Sequence, residues 1–340
     1  MFIDGQWTDG ARRDVFESDD PYRGKPWALI PRGTADDVDR AVRAAHRALT
    51  SGEWPKLTAS KRGALLRRLG DLITERSAHL AAIEVRDNGK LYAEMSAQCA
   101  YMAQWYHYYG GLADKVEGAV LPTDKPDTFN FTRYEPIGVV AAIVPWNSPL
   151  LLMTWKLAPA LAAGNTVVVK PSEFTSASTL AFVELFAEAG FPAGVVNTVT
   201  GMPDEVGGPL VNHPDVAKIA FTGGEAGGLA VYGAAAAGLK TVTLELGGKS
   251  ANIVFDDADL PSAVNGAISG IFAATGQTCI AGSRLLVQRS IHDRVVENLV
   301  KLARTARMGG AARQHGGRAR EAAGHVAAAA AARRTGGPVP

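Results

Sequence analysis

The sequence predicts an α/β fold, and three observations carry that expectation. Five short apolar runs rich in β-branched residues recur through the middle of the chain, at 139–144, 166–169, 195–199, 216–221 and 240–244. Segments with helical spacing of apolar residues lie between them, near 150–163, 177–189, 203–210 and 225–237. The runs read as short buried strands, and their alternation with helices implies a parallel sheet covered on both faces. Such sheets bind ligands at the carboxyl ends of their strands.

The elements follow in order. Thr34-Ala35-Asp36-Asp37 reads as a capping box. It opens an Ala-rich helix with Val38, Val42, Ala45 and Leu49 on one face. A second helix is expected over 60–86, carrying Leu65, Leu66, Leu69, Leu72 and Ile73, and a third over 92–109. Residues 128–134 alternate like a half-exposed strand, and Pro136-Ile137-Gly138 turns the chain into the first buried run. After Glu245 a second unit begins, with strands at 251–255 and 283–288 and helices at 259–272 and 291–307. From Gly309 the chain is almost all Gly, Ala and Arg, with polyalanine from Ala327 to Ala332. Residues 309–340 cannot supply a core and are expected to be disordered.

Composition narrows the function classes. A length of 340 residues, 47% of them hydrophobic, suggests about two domains. The net charge of +1 gives no whole-chain pull toward nucleic acid or a membrane surface. The N-terminus lacks the basic and apolar regions of a signal peptide, and no run of about 18 apolar residues occurs. Cys99 and Cys279 are the two cysteines, too few for a disulfide framework, so a reducing cytoplasmic setting fits. The histidines show no metal-ligand spacing with cysteines or acids, and no metal site is expected. Tyr101, Trp105, Tyr108 and Tyr109 cluster on one helix, where core packing is favoured over lining a substrate tunnel.

Three segments carry chemistry. Gly276-Gln277-Thr278-Cys279-Ile280-Ala281-Gly282-Ser283-Arg284 sets one cysteine among small and hydroxylic residues, with glycines on both sides. That setting lets backbone approach a substrate closely and supplies donors to a thiolate. Thirty-four positions earlier, Leu244-Glu245-Leu246-Gly247-Gly248-Lys249 puts a carboxylate beside two glycines. Leu244 and Leu246 are expected to withdraw Glu245 partly from water and so strengthen it as a base. Pro145-Trp146-Asn147-Ser148-Pro149 holds an amide donor in a rigid turn. Nucleophile, base and oxyanion donor are the parts that acyl transfer or aldehyde oxidation needs. Cys99, among helix formers, reads as core packing.

Together these segments resemble the NAD(P)-dependent aldehyde dehydrogenase superfamily, from about Met1 to about Met308. The resemblance implies a Rossmann-like parallel-sheet NAD-binding domain over 1–122 and 139–245, and an oligomerisation hairpin over 123–138. It implies an incomplete α/β catalytic domain over 246–308. Cys279 would be the nucleophile, Glu245 the base that activates hydrolytic water, and Asn147 the oxyanion donor. Lys170 and Glu173 would hold the adenosine ribose. A carboxylate there favours NAD, with NADP possible, because it repels a 2′-phosphate. Gly223 and Gly224 would receive the pyrophosphate at a helix N-terminus. Gly201 would line the adenine site, with Trp146 and Gly247 beside the cofactor and Lys156 in support. Gly224 stands where the family usually has a hydroxyl residue, and Ser148 where it often has an aromatic. The implied substrate is a small-molecule aldehyde of medium size and partly apolar character. Beyond about residue 308 the family pattern stops, as truncation or a frameshift would leave it, and the family's later Glu-x-Phe-Gly-Pro segment is absent from this sequence. The homo-oligomers usual in the family are therefore in doubt for this chain. The alternative expectation is a dinucleotide-binding fragment with impaired catalysis.

Overall fold

Asp4 and Gly5 both take positive φ, 52° and 74°, and close a hairpin between β1 (Phe2–Ile3) and β2 (Gln6–Trp7). Asp-Gly is the dipeptide such a turn prefers, since its backbone twist matches that of the flanking strands. A second hairpin joins β3 (Val15–Asp20) to β4 (Lys25–Pro31). Neither was expected from the sequence. The computed structural model describes residues 1–306 and 309. The expectation of a disordered tail over 309–340 therefore lies outside the described residues, apart from Gly309.

The capping box forms as expected. Thr34 donates its backbone N–H and its hydroxyl to Asp37 Oδ2, both at 2.9 Å, at the start of α1 (Ala35–Thr50). Ala11 N–H also donates to Asp37, which explains a fully buried carboxylate. Its pKa is held below the usual range by Arg40 and Thr34 against the cost of burial. α2 (Ala59–Asn88) and α3 (Tyr92–Leu112) match the expected helices with longer ends. The expected strand over 128–134 shrinks to β6 (Asn130–Phe131), paired with β5 (Val120–Leu121). Alternation mimics a half-buried strand, but both faces here are open: Phe129, Phe131 and Tyr134 are 73%, 57% and 73% exposed.

Then come β7 (Val139–Ile143), α4 (Pro149–Ala162), β8 (Thr166–Lys170), α5 (Ser176–Glu188) and β9 (Val196–Thr198). Every residue of β7, β8 and β9 is buried, as continuous apolar patterning requires. The expected helix at 203–210 splits into a π turn (Pro203–Gly207) and the short α6 (Gly208–Asn212). Gly207-Gly208-Pro209 disfavours one continuous helix there. β10 (Val216–Gly223), α7 (Glu225–Ala237) and β11 (Thr241–Leu246) follow. The sheet order is β11-β10-β7-β8-β9-β1-β2, with β10, β7, β8 and β9 parallel. The chain runs outward from β7 to β9, then returns to place β10 on the other side of β7. The topological switch point thus lies at the carboxyl ends of β7 and β10.

Two compact units are defined: residues 1–88 with 96–245, and residues 89–95 with the chain from Leu246. In the second, β12 (Ala251–Val254) and β13 (Arg284–Val287) pair in parallel, with α8 (Leu260–Phe272) and α9 (His292–Ala303). Val254, Ile291 and Val295 form its small core, with Leu260, Leu285 and Val287 packed against them. The opposite sheet face carries Ile253, Phe255 and Leu286, which are 58%, 62% and 50% exposed.

Candidate active site

In the first unit, the carboxyl ends of the parallel strands carry most of the candidate residues. Asn147 is half-buried in the turn between β7 and α4, and its carbonyl accepts from Asn88 Nδ2 at 3.4 Å. Trp146 beside it is 46% exposed. Ser148 is buried at the N-cap of α4, with Pro149 at the first helical position.

Lys170 ends β8 with its side chain 5% exposed, and its Nζ lies 3.4 Å from Glu173 Oε2. Burial pushes the ammonium below its ordinary pKa, while Glu173 pulls it back. The structure therefore brings these two residues together as a pair. The turn that follows is held from two sides. Asp87, at the C-terminal end of α2, accepts from Ser178 N at 2.7 Å in the first turn of α5. Ser18 Oγ donates to Phe174 O at 3.4 Å. Nothing in the sequence marks Asp87, because a charged residue at a helix end ordinarily faces water.

At the end of β10, Gly224 caps α7 with a backbone φ of −75° and ψ of 162°. Among the described residues, a Cβ at Gly224 would meet nothing within 4 Å, so space is open at this position of the helix N-terminus. Gly223 differs: a Cβ there would lie 2.6 Å from Phe221 Cζ. A side chain there would force the Phe221 ring to shift. Gly201 has a φ of +151° and sits against the Gly33 backbone, which explains its identity by conformation and close approach.

Lys156, on α4, donates to Thr222 Oγ1. Desolvation lowers its pKa to about 8, with the Glu245 charge acting in the opposite direction. Glu245 itself is exposed, which corrects the expectation that Leu244 and Leu246 shield it. Successive side chains of a strand point to opposite faces. In β11 the exposure alternates, with Leu244 and Leu246 half-buried and Thr243 and Glu245 open. The flanking leucines therefore cannot desolvate it.

The second unit holds the cysteine. Cys279 is a free, exposed thiol, and Ile280 beside it is 78% exposed. Ala281 N–H donates to Thr278 O at 3.1 Å and Gly282 N–H to Gly270 O at 2.9 Å. A Cβ on Gly248 would lie 3.4 Å from the Cys279 carbonyl oxygen, and one on Gly247 would meet nothing. Arg284 Nε donates to Lys249 O at 2.8 Å. The glycine-rich segment after Glu245 thus packs against the cysteine loop. Cys99, by contrast, is fully buried and points its thiol at Glu84 Oε2, 3.5 Å away.

The aromatic residues of α3 divide. Tyr101 and Tyr108 are 46% and 60% exposed, so core packing does not account for them. Trp105 packs on Tyr109 and on Trp155 of α4, with ring centroids 6.3 and 5.7 Å apart. Among the described residues, no three histidine, cysteine, aspartate or glutamate side chains gather as a metal site would require. No helix among them is long and apolar enough to cross a membrane.

Comparison with known proteins shows the family of the chain. The family model described as "Aldehyde dehydrogenase family" matches residues 7–328. A (Z)-2-((N-methylformamido)methylene)-5-hydroxybutyrolactone dehydrogenase of Acinetobacter baylyi is 50% identical over 91% of this chain and 63% of its own. The betaine aldehyde dehydrogenase of Bacillus subtilis is 42% identical over the same shares. The crystal structure of an aldehyde dehydrogenase from Bacillus cereus in complex with NAD+ superposes with a TM-score of 0.88 at 43% identity, over 92% of this chain and 63% of that one. A betaine aldehyde dehydrogenase from Staphylococcus aureus, also with NAD+, gives 0.89 at 41% identity, over 91% and 62%. The chain spans about 63% of the length of such relatives. On the family match and on these identities, the chain belongs to the aldehyde dehydrogenase family.

Proposed function

We propose that this chain carries the chemistry of an NAD(P)-dependent aldehyde dehydrogenase, oxidising an aldehyde to a carboxylate. The observation that carries the reading is the Cys279 thiol. It is free and exposed, on a loop whose neighbour Gly248 offers no side chain to block it. Its thiolate attacks the aldehyde carbonyl, forming the carbon–sulfur bond of a thiohemiacetal. The Asn147 amide and the Cys279 backbone N–H donate to the oxyanion. NAD+, when bound, accepts the hydride that leaves as a thioester forms on Cys279. Glu245 then takes a proton from water, which attacks the thioester and releases the carboxylate. An exposed Glu245 fits this step, since the base must meet water. Lys156 supports it as the buried cation whose charge state Glu245 influences.

The residues present fit a dinucleotide. The open N-terminus of α7 at Gly223 and Gly224 offers backbone donors to a pyrophosphate. Glu173, 23% exposed and fixed by Lys170, suits ribose hydroxyls and disfavours a 2′-phosphate, so NAD is preferred over NADP. Gly201, Trp146 and Gly247 complete the proposed cofactor contacts. The exposed Phe129, Phe131 and Tyr134 of the hairpin fit a surface for a second copy of the chain. The substrate is a small-molecule aldehyde of medium size and partly apolar character, with Ile280 exposed beside Cys279. A reducing compartment such as the cytoplasm keeps Cys279 free.

A second reading, dinucleotide binding without turnover, is favoured by one observation. The outer face of the β12–β13 pair leaves Ile253, Phe255 and Leu286 open to water. An NADH-formation assay with a panel of aldehydes separates the two. Steady turnover that is lost in Cys279→Ser supports the dehydrogenase. Soluble protein that binds NAD+ but forms no NADH supports the second reading.

A further inference from the structure

The loop that carries Cys279 is entered through three successive residues in left-handed conformation. Ala274, Thr275 and Gly276 have φ of 56°, 55° and 77°. Glycine takes this conformation freely, but alanine and above all β-branched threonine resist it. Two such residues in succession persist only where their surroundings over-determine them. Two of the bonds that hold the turn are internal: Gln277 N–H donates to Ala274 O at 3.1 Å, and Gln277 Nε2 donates to Thr275 Oγ1 at 2.9 Å. One comes from far away in sequence. Glu94 Oε1 accepts from Ala274 N at 3.1 Å. This amide lies just past Ala273, the C-cap of α8, beyond the helix's own hydrogen-bond ladder. Glu94 belongs to residues 89–95, which join the second unit although the chain on either side belongs to the first.

We infer that Glu94 is a positioning residue for Cys279. Its carboxylate anchors the first residue of the left-handed turn and so fixes the path of the backbone to the thiol, five positions on. This inference rests on the reading of Cys279 as nucleophile. The acceptor oxygen is what matters, not the charge. Among the described residues, Glu94 Oε2 has no hydrogen-bond partner, so an amide nitrogen in its place breaks no bond there. Glutamine therefore preserves the anchor, and alanine removes it.

The test uses the full chain as wild type, Glu94→Ala and Glu94→Gln. Hydrogen exchange is measured on peptides covering 272–280, with peptides from α9 as control. Iodoacetamide alkylation of Cys279 is measured in parallel, Cys99 being buried. In Glu94→Ala, exchange across 272–280 is expected to accelerate by about tenfold or more while α9 is unchanged. The Cys279 alkylation rate is expected to change by about threefold or more. Glu94→Gln is expected to match wild type in both. A residue that merely stabilised the fold would not separate glutamine from alanine at this loop. Wild-type exchange and alkylation in Glu94→Ala, or a Glu94→Gln that behaves like it, would overturn the inference. Failure of the nucleophile reading shows separately, as NADH formation that survives Cys279→Ser.

Discussion

Asp87→Asn should make the first unit more stable at neutral pH, by an amount that vanishes in acid. Asp87 is 2% exposed. Desolvation raises its pKa from 3.8 to about 6, although the Ser178 N–H donates to it and acts the other way. Below 3.8 the carboxyl is neutral in folded and unfolded chains, and no penalty exists. As pH rises the unfolded chain releases this proton first, while the folded chain keeps it until about 6. Stability therefore falls across that window and levels off above it. One pH unit of displacement corresponds to about 1.4 kcal/mol, so the loss reaches about 3 kcal/mol. Asparagine keeps an oxygen to accept from Ser178 N–H and never ionises. Urea unfolding at pH 4 to 8, followed by tryptophan fluorescence, reads the right unit, because all six tryptophans lie in it. The stability difference between Asp87→Asn and wild type should grow by about 3 kcal/mol from acid to neutral pH. A difference that stays flat across that range would refute the account of Asp87 as a buried carboxyl.

Other expectations follow from single contacts. Gly223→Ala should destabilise by about 1–3 kcal/mol, because its Cβ would overlap Phe221. Gly224→Ser, at a helix N-cap, should be neutral or stabilising, and thermal unfolding reads both glycine variants. Asn165→Ala should cost about 2–4 kcal/mol in urea unfolding, since Asn165 accepts from Ile137 N and Gly138 N and donates to Ala160 O. Glu245→Gln removes the charge that supports the Lys156 ammonium, so the Lys156 pKa, read by NMR, should fall further below about 8.

Legibility from sequence tracked how local the physics was. Continuous apolar runs identified β7 and β8, because burial on both faces leaves no room for polar residues. The α7 helix occupies the expected span, bounded by Gly224 and Gly238. The Asp4-Gly5 hairpin signal was present in the sequence, but the flanking strands are too short to show a period. Exposure of Glu245 was misjudged because sequence neighbours are not spatial neighbours on a strand. Nothing could disclose the left-handed Ala274 and Thr275, whose residue types argue against that conformation. Their anchor, Glu94, lies 180 residues away in sequence.

In the proposed reaction Cys279 carries the acyl group and Glu245 activates the water that removes it. The most direct test is intact-protein mass spectrometry of Glu245→Gln after mixing with an aldehyde and NAD+, with peptide mapping of any adduct. An acyl mass is expected to accumulate on Cys279, together with about one equivalent of NADH per site. NADH formation with no acylated Cys279, or an adduct mapped to another residue, would contradict it.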